Sequence, residues 1–336
     1  MVATNAVSIR LLASRITNLI NCWWSYALSL FGVVRVRHLP TFVSVEPANF
    51  CQLRCPECPV GTGANSAARK EVLSMELFNI VLNQIQTTAH TLQFYFQGEP
   101  LLNKQLPEMI AKANQLGLYT IVSTNAQILH PETAKALVNS GLNRIIVSID
   151  GFSQESYKAY RKGGSLQRAL EALQFLSQTK KLHNSNIRIE LQVLRLRTNE
   201  HEWKWIKQNY KKLGATHLVF KTAQLYDYEN GNPLMPTQER YARYTKIGEN
   251  KYIRKKRFTD NSHIKFKPCL RLWSGCVITT SGEVLPCCYD KEHQHSFGNI
   301  YQNHLSDIFH SQTAQQIRER VLSKKDMPTM CSNCNC

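Results

Sequence analysis

Between Thr41 and Thr222 short β-branched or apolar runs alternate with longer stretches of helical periodicity, and this alternation constrains the fold more than any other feature of the chain. Strands are expected at 42–46, 91–96, 119–123, 144–149, 187–194 and 217–222. Each run is brief and almost wholly apolar, as parallel strands covered on both faces are. The clearest helix follows the cap Ser74 and sets Leu77, Phe78, Val81, Leu82 and Ile85 along one face. Others are expected near 106–116, 131–140, 166–178 and 200–213, with Gly117, Gly141 and Gly214 placed where helices stop. Six strand–helix units in succession predict an α/β fold, a parallel sheet with right-handed crossovers curled into an open, partial TIM-like barrel. In such folds ligands bind at the C-terminal ends of the strands, so chemistry is sought there first.

Directly after the first strand stands Cys51-x-x-x-Cys55-x-x-Cys58. Three thiolates can hold three irons of a four-iron cluster and leave the fourth open, or form part of a zinc site completed by a distant ligand. The chain has 11 cysteines, and apart from Cys22 all lie in this group or between Cys269 and Cys336. The N-terminus lacks the basic, apolar and small-residue regions of a secretory signal, so reduced, metal-binding thiols in the cytoplasm are expected rather than disulfides. A share of 43% apolar residues with 15 Gly and 12 Pro excludes a disordered or collagenous protein. The formal charge of +17 favours acidic partners, but no nucleic-acid-binding motif accompanies it, so nucleic acid is not expected as a partner.

The triplet and the strand ends together resemble the radical S-adenosylmethionine (SAM) enzymes over about 41–222. Gln97-Gly98-Glu99-Pro100, after the second strand, looks like the element that holds the methionyl ammonium, with Gly98 and Glu99 as its contacts. Ser123 and Asn125, ending the third strand, resemble a polar turn of that family. Ser148 and Asp150, ending the fourth, resemble its Ser-Ile-Asp-Gly element, and Arg161 resembles the arginine that binds the methionyl carboxylate. Singly, each has a plain reading as a turn, a cap or a solvated helix end; the resemblance rests on their order at consecutive strand ends. One departure is Glu57, where the family usually carries an aromatic residue. The resemblance implies that Cys51, Cys55 and Cys58 bind a [4Fe–4S] cluster, that SAM chelates its open iron, and that a 5′-deoxyadenosyl radical abstracts a substrate hydrogen. No catalytic acid or base is legible.

Toward the C-terminus, two short strands at 277–280 and 283–285 form a hairpin around Ser281-Gly282, and a short helix begins near Ser306. One Cys before the hairpin, one after it and a later Cys-x-x-Cys could close a four-iron cluster or a four-Cys zinc site. The region resembles the twitch and SPASM auxiliary-cluster domains of radical SAM enzymes, which implies one auxiliary [4Fe–4S] cluster on Cys269, Cys287, Cys331 and Cys334 and leaves Cys276, Cys288 and Cys336 unassigned. Cys288 stands where sulfatase-maturing relatives carry an Asp.

The expected organisation is an N-terminal helical extension at 1–40, a partial barrel at 41–222, a linker at 223–268 and the cluster domain at 269–336. The linker carries a basic run, Arg254-Lys255-Lys256-Arg257 with Lys265 and Lys267, read as a solvated face or as a guide for an anionic substrate. Segment 17–34 is largely apolar but broken by Asn18, Asn21, Ser25 and Ser29, with Trp23 and Trp24 inside it and Arg10, Arg15, Arg35 and Arg37 around it. Two readings fit: a helix packed on the main domain, or one lying at a membrane surface. The resemblance implies an enzyme that matures a peptide or protein and draws electrons from a flavodoxin- or ferredoxin-like donor. Its rivals are a dehydrogenase of a sugar, aminocyclitol or other small molecule, and a non-catalytic iron–sulfur electron carrier.

Overall fold

The computed structural model describes residues 9–64, 69–255 and 268–334. Cys336 and Lys256–Lys267 of the basic run lie outside them. Helix α1 (Ile9–Leu30) leads into β1 (Phe42–Val45), the short α2 (Pro59–Thr62) and α3 (Met75–Ile85). Alternation follows: β2 (Thr91–Phe94), α4 (Leu106–Gln115), β3 (Tyr119–Thr124), α5 (Pro131–Asn139), β4 (Arg144–Ser148), α6 (Gln154–Tyr160), α7 (Leu166–Leu182), β5 (Arg188–Arg195), α8 (Trp203–Asn209) and β6 (His217–Thr222). A strand pair, β7 (Tyr244–Lys246) with β8 (Tyr252–Arg254), precedes α9 (Leu270–Ser274), β9 (Gly275–Ile278), β10 (Glu283–Leu285), β11 (Gly298–Asn299), α10 (Leu305–Phe309) and α11 (Gln312–Ser323).

All six expected strands form, and β1 to β6 are neighbours in chain order, each pair parallel. Ser74 caps α3 by accepting the Leu77 amide at 3.1 Å, and the predicted face of that helix is fully buried. That face joins Val43, Val45, Leu92, Phe94, Ile145 and Val147 in one core between sheet and helices. Gly141 ends α5 at φ 78°, where its backbone also receives the Asn114 amide group at 2.8 Å. Only glycine adopts such a φ without strain.

The helix expected at 200–213 starts instead as a 3₁₀ turn, Arg197–Glu202, and its α-helical part ends at Asn209. Asn199 imposes that entry: its side chain takes the Leu196 amide and donates to the carbonyls of Asp150 and Leu194. The C-terminal hairpin also begins earlier than expected, at Gly275, because β9 pairs in parallel with the free edge of β1 and extends the sheet to nine strands. A Cβ at Gly275 would stand 2.7 Å from the Phe42 carbonyl, so a larger residue would break this pairing. The C-terminal unit is thus joined to the barrel through backbone hydrogen bonds.

α1 lies across the base of the barrel, where helices end and strands begin. Arg15 is buried and donates to the carbonyls of Gln86 (2.9 and 2.7 Å), Leu116 (2.8 Å) and Gly117 (3.3 Å). Those carbonyls close the ends of α3 and α4, where a cation offsets both unpaired oxygens and helix dipoles. Asn18 binds Leu39 and Thr88, and Ser25 meets His38 at 3.2 Å. The helix does pack on the main body, but its polar stripe faces inward.

Candidate active site

The mouth of the barrel is built from loops that touch. Gly98 follows β2 so closely against the loop after β1 that a Cβ there would lie 2.1 Å from the Ala48 carbonyl and 2.7 Å from the Phe50 backbone. The Glu99 amide donates to Phe50 at 2.9 Å, completing the contact. Gly98 is therefore fixed by close approach. Glu99 is 2% exposed. Its carboxylate accepts from the Leu101 amide (3.1 Å), the Thr124 hydroxyl (2.6 Å) and the Asn125 amide (2.8 Å), tying the loop after β2 to the turn after β3. Burial pushes its carboxyl above the usual range, and these donors, with Arg161, oppose the shift.

From the loop after β3, the Asn125 side chain donates to Cys51 Sγ at 3.3 Å and accepts from the Gln52 side chain at 3.1 Å. The Leu53 amide gives the same sulfur a second N–H at 3.4 Å. Ser123 is partly buried and Ser148 buried at the ends of β3 and β4. Asp150 is wholly buried: it accepts from Arg161 Nε at 2.6 Å and from the Leu194 amide at 2.6 Å, joining the ends of β4 and β5. The other arm of Arg161 points at Cys55, with Nη1 at 4.0 Å from Sγ. The arginine reaches this point as the C-cap of α6, a helix opened by a Ser153–Ser156 capping box that the sequence reading passed over. Cys58 opens α2, and a Cβ on Gly61 would press to 2.6 Å on the Cys55 backbone, so the thiol loop folds tightly on itself.

These thiols are electrostatically coupled and burial works against ionising them, pushing Cys51 up to about 12 and Cys55 above its usual value. N–H donors and a guanidinium aimed at the sulfurs work the other way. A donor set that hydrogen-bonds sulfur suits iron-bound thiolates, whose charge it stabilises. Among the described residues no three His, Cys, Asp or Glu side chains form a ligand set for a single metal ion.

Glu57 has a structural account. Its carboxylate accepts from the Tyr226 amide at 2.8 Å and the Asn232 side chain at 2.9 Å, fastening the segment after β6 to the thiol loop. Tyr226, 48% exposed, is thereby an electrostatic neighbour of Cys58. The stretch read as a linker is folded over this loop: Leu225, Leu234, Met235 and Tyr244 pack with Leu53, Cys55 and Tyr160. Tyr226 and this packing were missed because only the tertiary fold brings that segment to the cysteines.

In the C-terminal unit Cys288, Cys331 and Cys334 are all electrostatic neighbours of Cys287. Burial above all raises the Cys287 thiol, and its sulfur receives the Tyr289 amide at 3.4 Å and lies 3.9 Å from Met330 Sδ. Cys269 precedes α9 and packs, like Cys287 and Cys331, against the core. Asn333, between Cys331 and Cys334, donates to the Leu225 carbonyl at 2.7 Å, so this unit leans on the segment that covers the thiol loop. Cys276 sits apart, 2% exposed in β9 opposite Val43, its thiol raised to about 12 by burial. Cys288 takes a hydrogen bond from Arg271 at 2.9 Å.

Residues 45–189 match the family model described as the radical SAM superfamily, and residues 269–335 match SPASM, an iron–sulfur cluster-binding domain. The chain is similar to the PqqA peptide cyclase of Bradyrhizobium diazoefficiens, 27% identical over 261 residues that cover 74% of this chain and 67% of that protein. It is also similar to the GTP 3′,8-cyclase of Pelotomaculum thermopropionicum, 30% identical over 134 residues, 40% of this chain and 41% of that protein. In fold it resembles Streptococcus suis SuiB bound to precursor peptide SuiA, with a TM-score of 0.61 at 12% identity, covering 90% of this chain and 71% of that one.

Proposed function

The chain belongs to the radical SAM superfamily and carries a SPASM-type iron–sulfur cluster-binding domain, and from that premise we propose that it matures a peptide or protein by abstracting a hydrogen from one of its side chains. The observation that carries this reading is the convergence of Glu99, Asn125, Asp150 and Arg161, from successive strand ends, on the loop of Cys51, Cys55 and Cys58. In this reading those three thiols hold the SAM-binding cluster. When bound, that cluster and SAM supply a hydrogen-abstracting radical.

The chain's own contribution is placement. Asn125 and the Leu53 amide stabilise the charge on Cys51, and Arg161 does so for Cys55 while remaining able to face a ligand carboxylate. Asp150 keeps the guanidinium in position. Gly98, packed on the Ala48 and Phe50 backbone, sets the 97–99 backbone that a ligand ammonium would meet, and Ser123 and Ser148 add hydroxyls at the same mouth. Cys269, Cys287, Cys331 and Cys334 hold one auxiliary cluster, and a flavodoxin- or ferredoxin-like protein delivers electrons. The peptide reading is supported by similarity to PqqA peptide cyclases over 74% and 88% of the chain, whereas similarity to GTP 3′,8-cyclases covers between 39% and 67% of it.

Anaerobic reconstitution tests this. The protein should take up iron and, once reduced, form 5′-deoxyadenosine from SAM; Cys55→Ala should abolish that product. Cys334→Ser should lose about half of the iron yet still cleave SAM, because the two ligand sets are separate. Cys276→Ser should lose none. Stoichiometric zinc without iron, or iron loss in the Cys276 variant alone, would sink the ligand assignment. Incubation with candidate precursor peptides, read by mass spectrometry, then tests the substrate class.

A further inference from the structure

A helix that covers a core ordinarily turns its apolar stripe inward. α1 does the reverse. Its buried positions are Arg15, Asn18, Cys22, Ser25, Tyr26 and Ser29, at helical spacing along one face. Its outward stripe is Leu12 (53% exposed), Ile16 (50%), Ile20 (62%), Trp23 (54%) and Trp24 (66%), continued past the helix by Phe31 (82%). The orientation is firmly set, since turning the helix over would strip Arg15 and Asn18 of the carbonyls they bind. A continuous apolar face of this kind on a charged protein marks an interaction surface.

The charge around the face says what covers it. The first 45 residues contain Arg10, Arg15, Arg35 and Arg37 and neither Asp nor Glu. Arg35 and Arg37 line a recess of about 350 Å³ together with Ile20, Asn21, Trp24 and Leu28, so two arginines share one pocket with an exposed tryptophan. That combination suits a phosphodiester at the level where indole rings settle in a bilayer. Two copies of this face would bring like charges together, which disfavours self-association. No helix among the described residues is long and apolar enough to cross a membrane, and α1 lies flat across the barrel base. We propose that α1 docks the protein on the surface of an anionic phospholipid bilayer, its outward stripe in the interface and lipid phosphates between Arg35 and Arg37. Docked by the base, the barrel turns its mouth away from the lipid, open to a substrate in solution. This proposal is independent of the chemistry at the mouth.

The test is cosedimentation of the full-length, cluster-loaded protein with vesicles of phosphatidylcholine alone or with about one-third phosphatidylglycerol. Binding should require the anionic lipid, weaken with salt and shift tryptophan emission to the blue. Arg35→Glu with Arg37→Glu should weaken it by about tenfold or more. Ile20→Ser with Trp24→Ala, on the exposed face, should do the same while circular dichroism and SAM cleavage stay unchanged. Absence of binding to anionic vesicles, or binding indifferent to both pairs, would overturn the proposal. So would a concentration-dependent dimer, or capture of a protein partner, that replaces vesicle binding and is lost in the same variants.

Discussion

The mouth and the base of the barrel both bury polar and charged side chains, and they use them differently. At the base Arg15, Asn18 and His38 donate to main-chain carbonyls of Gln86, Leu116, Leu39, Thr88 and Trp273, several of them at helix ends that leave their oxygens unpaired. At the mouth two carboxylates, Glu99 and Asp150, collect the donors of neighbouring loops and thereby hold Asn125 and Arg161 toward thiols. The base neutralises partial charges the chain made in folding. The mouth turns N–H donors and one guanidinium toward anions that only bound groups bring. Loss of a polar residue should therefore cost stability at one end and chemistry at the other.

The sharpest way to break this contrast is Arg161→Gln. It removes the guanidinium beside Cys55 while leaving an amide near Asp150. The expected result is a fall of roughly a hundredfold or more in kcat/KM for 5′-deoxyadenosine formation, corresponding to about 3 kcal/mol of lost charge-assisted bonding. Iron content should stay near that of the parent protein, with Arg161→Lys recovering part of the rate. A variant that cleaves SAM normally would show that the mouth, like the base, is only scaffold.

Arg15→Ala probes the other end. Three carbonyls lose a charged donor and the cavity left beneath α1 is closed to most solvent. Unfolding free energy should drop by about 2–3 kcal/mol, read from chemical denaturation. Cleavage of SAM per loaded cluster should be unaltered at temperatures where the variant remains folded. A rate defect without a stability defect would mean that the base communicates with the mouth.

Much of this contrast could be read in advance for the mouth and little of it for the base. The six strands are short apolar runs whose parallel order follows from the intervening helices, so the strand ends, and with them Glu99, Asn125, Ser148 and Asp150, fall on one side of the sheet by topology alone. Arg161 is legible only through the resemblance of its segment, because the Ser153–Ser156 capping box that opens its helix went unread. The spacing of α1, in contrast, defines two stripes without saying which one faces in; the answer lies in unpaired carbonyls 70 to 100 residues away along the chain, contributed by Gln86 and Leu116. The pairing of β9 with β1 was equally hidden. Gly-Cys-Val-Ile is compatible with many edges, and only the Gly275 contact with Phe42 singles this one out. Glu57 looked like a departure because its partners Tyr226 and Asn232 lie beyond the sixth strand.

The smallest expected effect concerns pH at the base. His38, 2% exposed, has Nε2 at 2.8 Å from the Trp273 carbonyl and Nδ1 at 3.2 Å from the Ser25 hydroxyl. A carbonyl only accepts, so Nε2 carries a proton; with burial holding the ring neutral, Nδ1 then accepts from the Ser25 hydroxyl. Burial lowers its pKa from 6.5 to about 4; the Trp273 bond opposes this, while the charges of Arg318 and His310 add to it. The unfolded chain then binds the proton more readily than the folded one. The ring's contribution is complete above pH 6.5, is lost progressively as pH falls, and has gone once the folded form titrates near 4. Between pH 6.5 and 5.5 the loss amounts to roughly 1 kcal/mol. In His38→Gln the amide keeps a donor for Trp273 but cannot titrate, so the difference between parent and variant unfolding curves should shrink as pH falls over that interval. A difference that stays constant would mean that His38 is not the group titrating beneath α1.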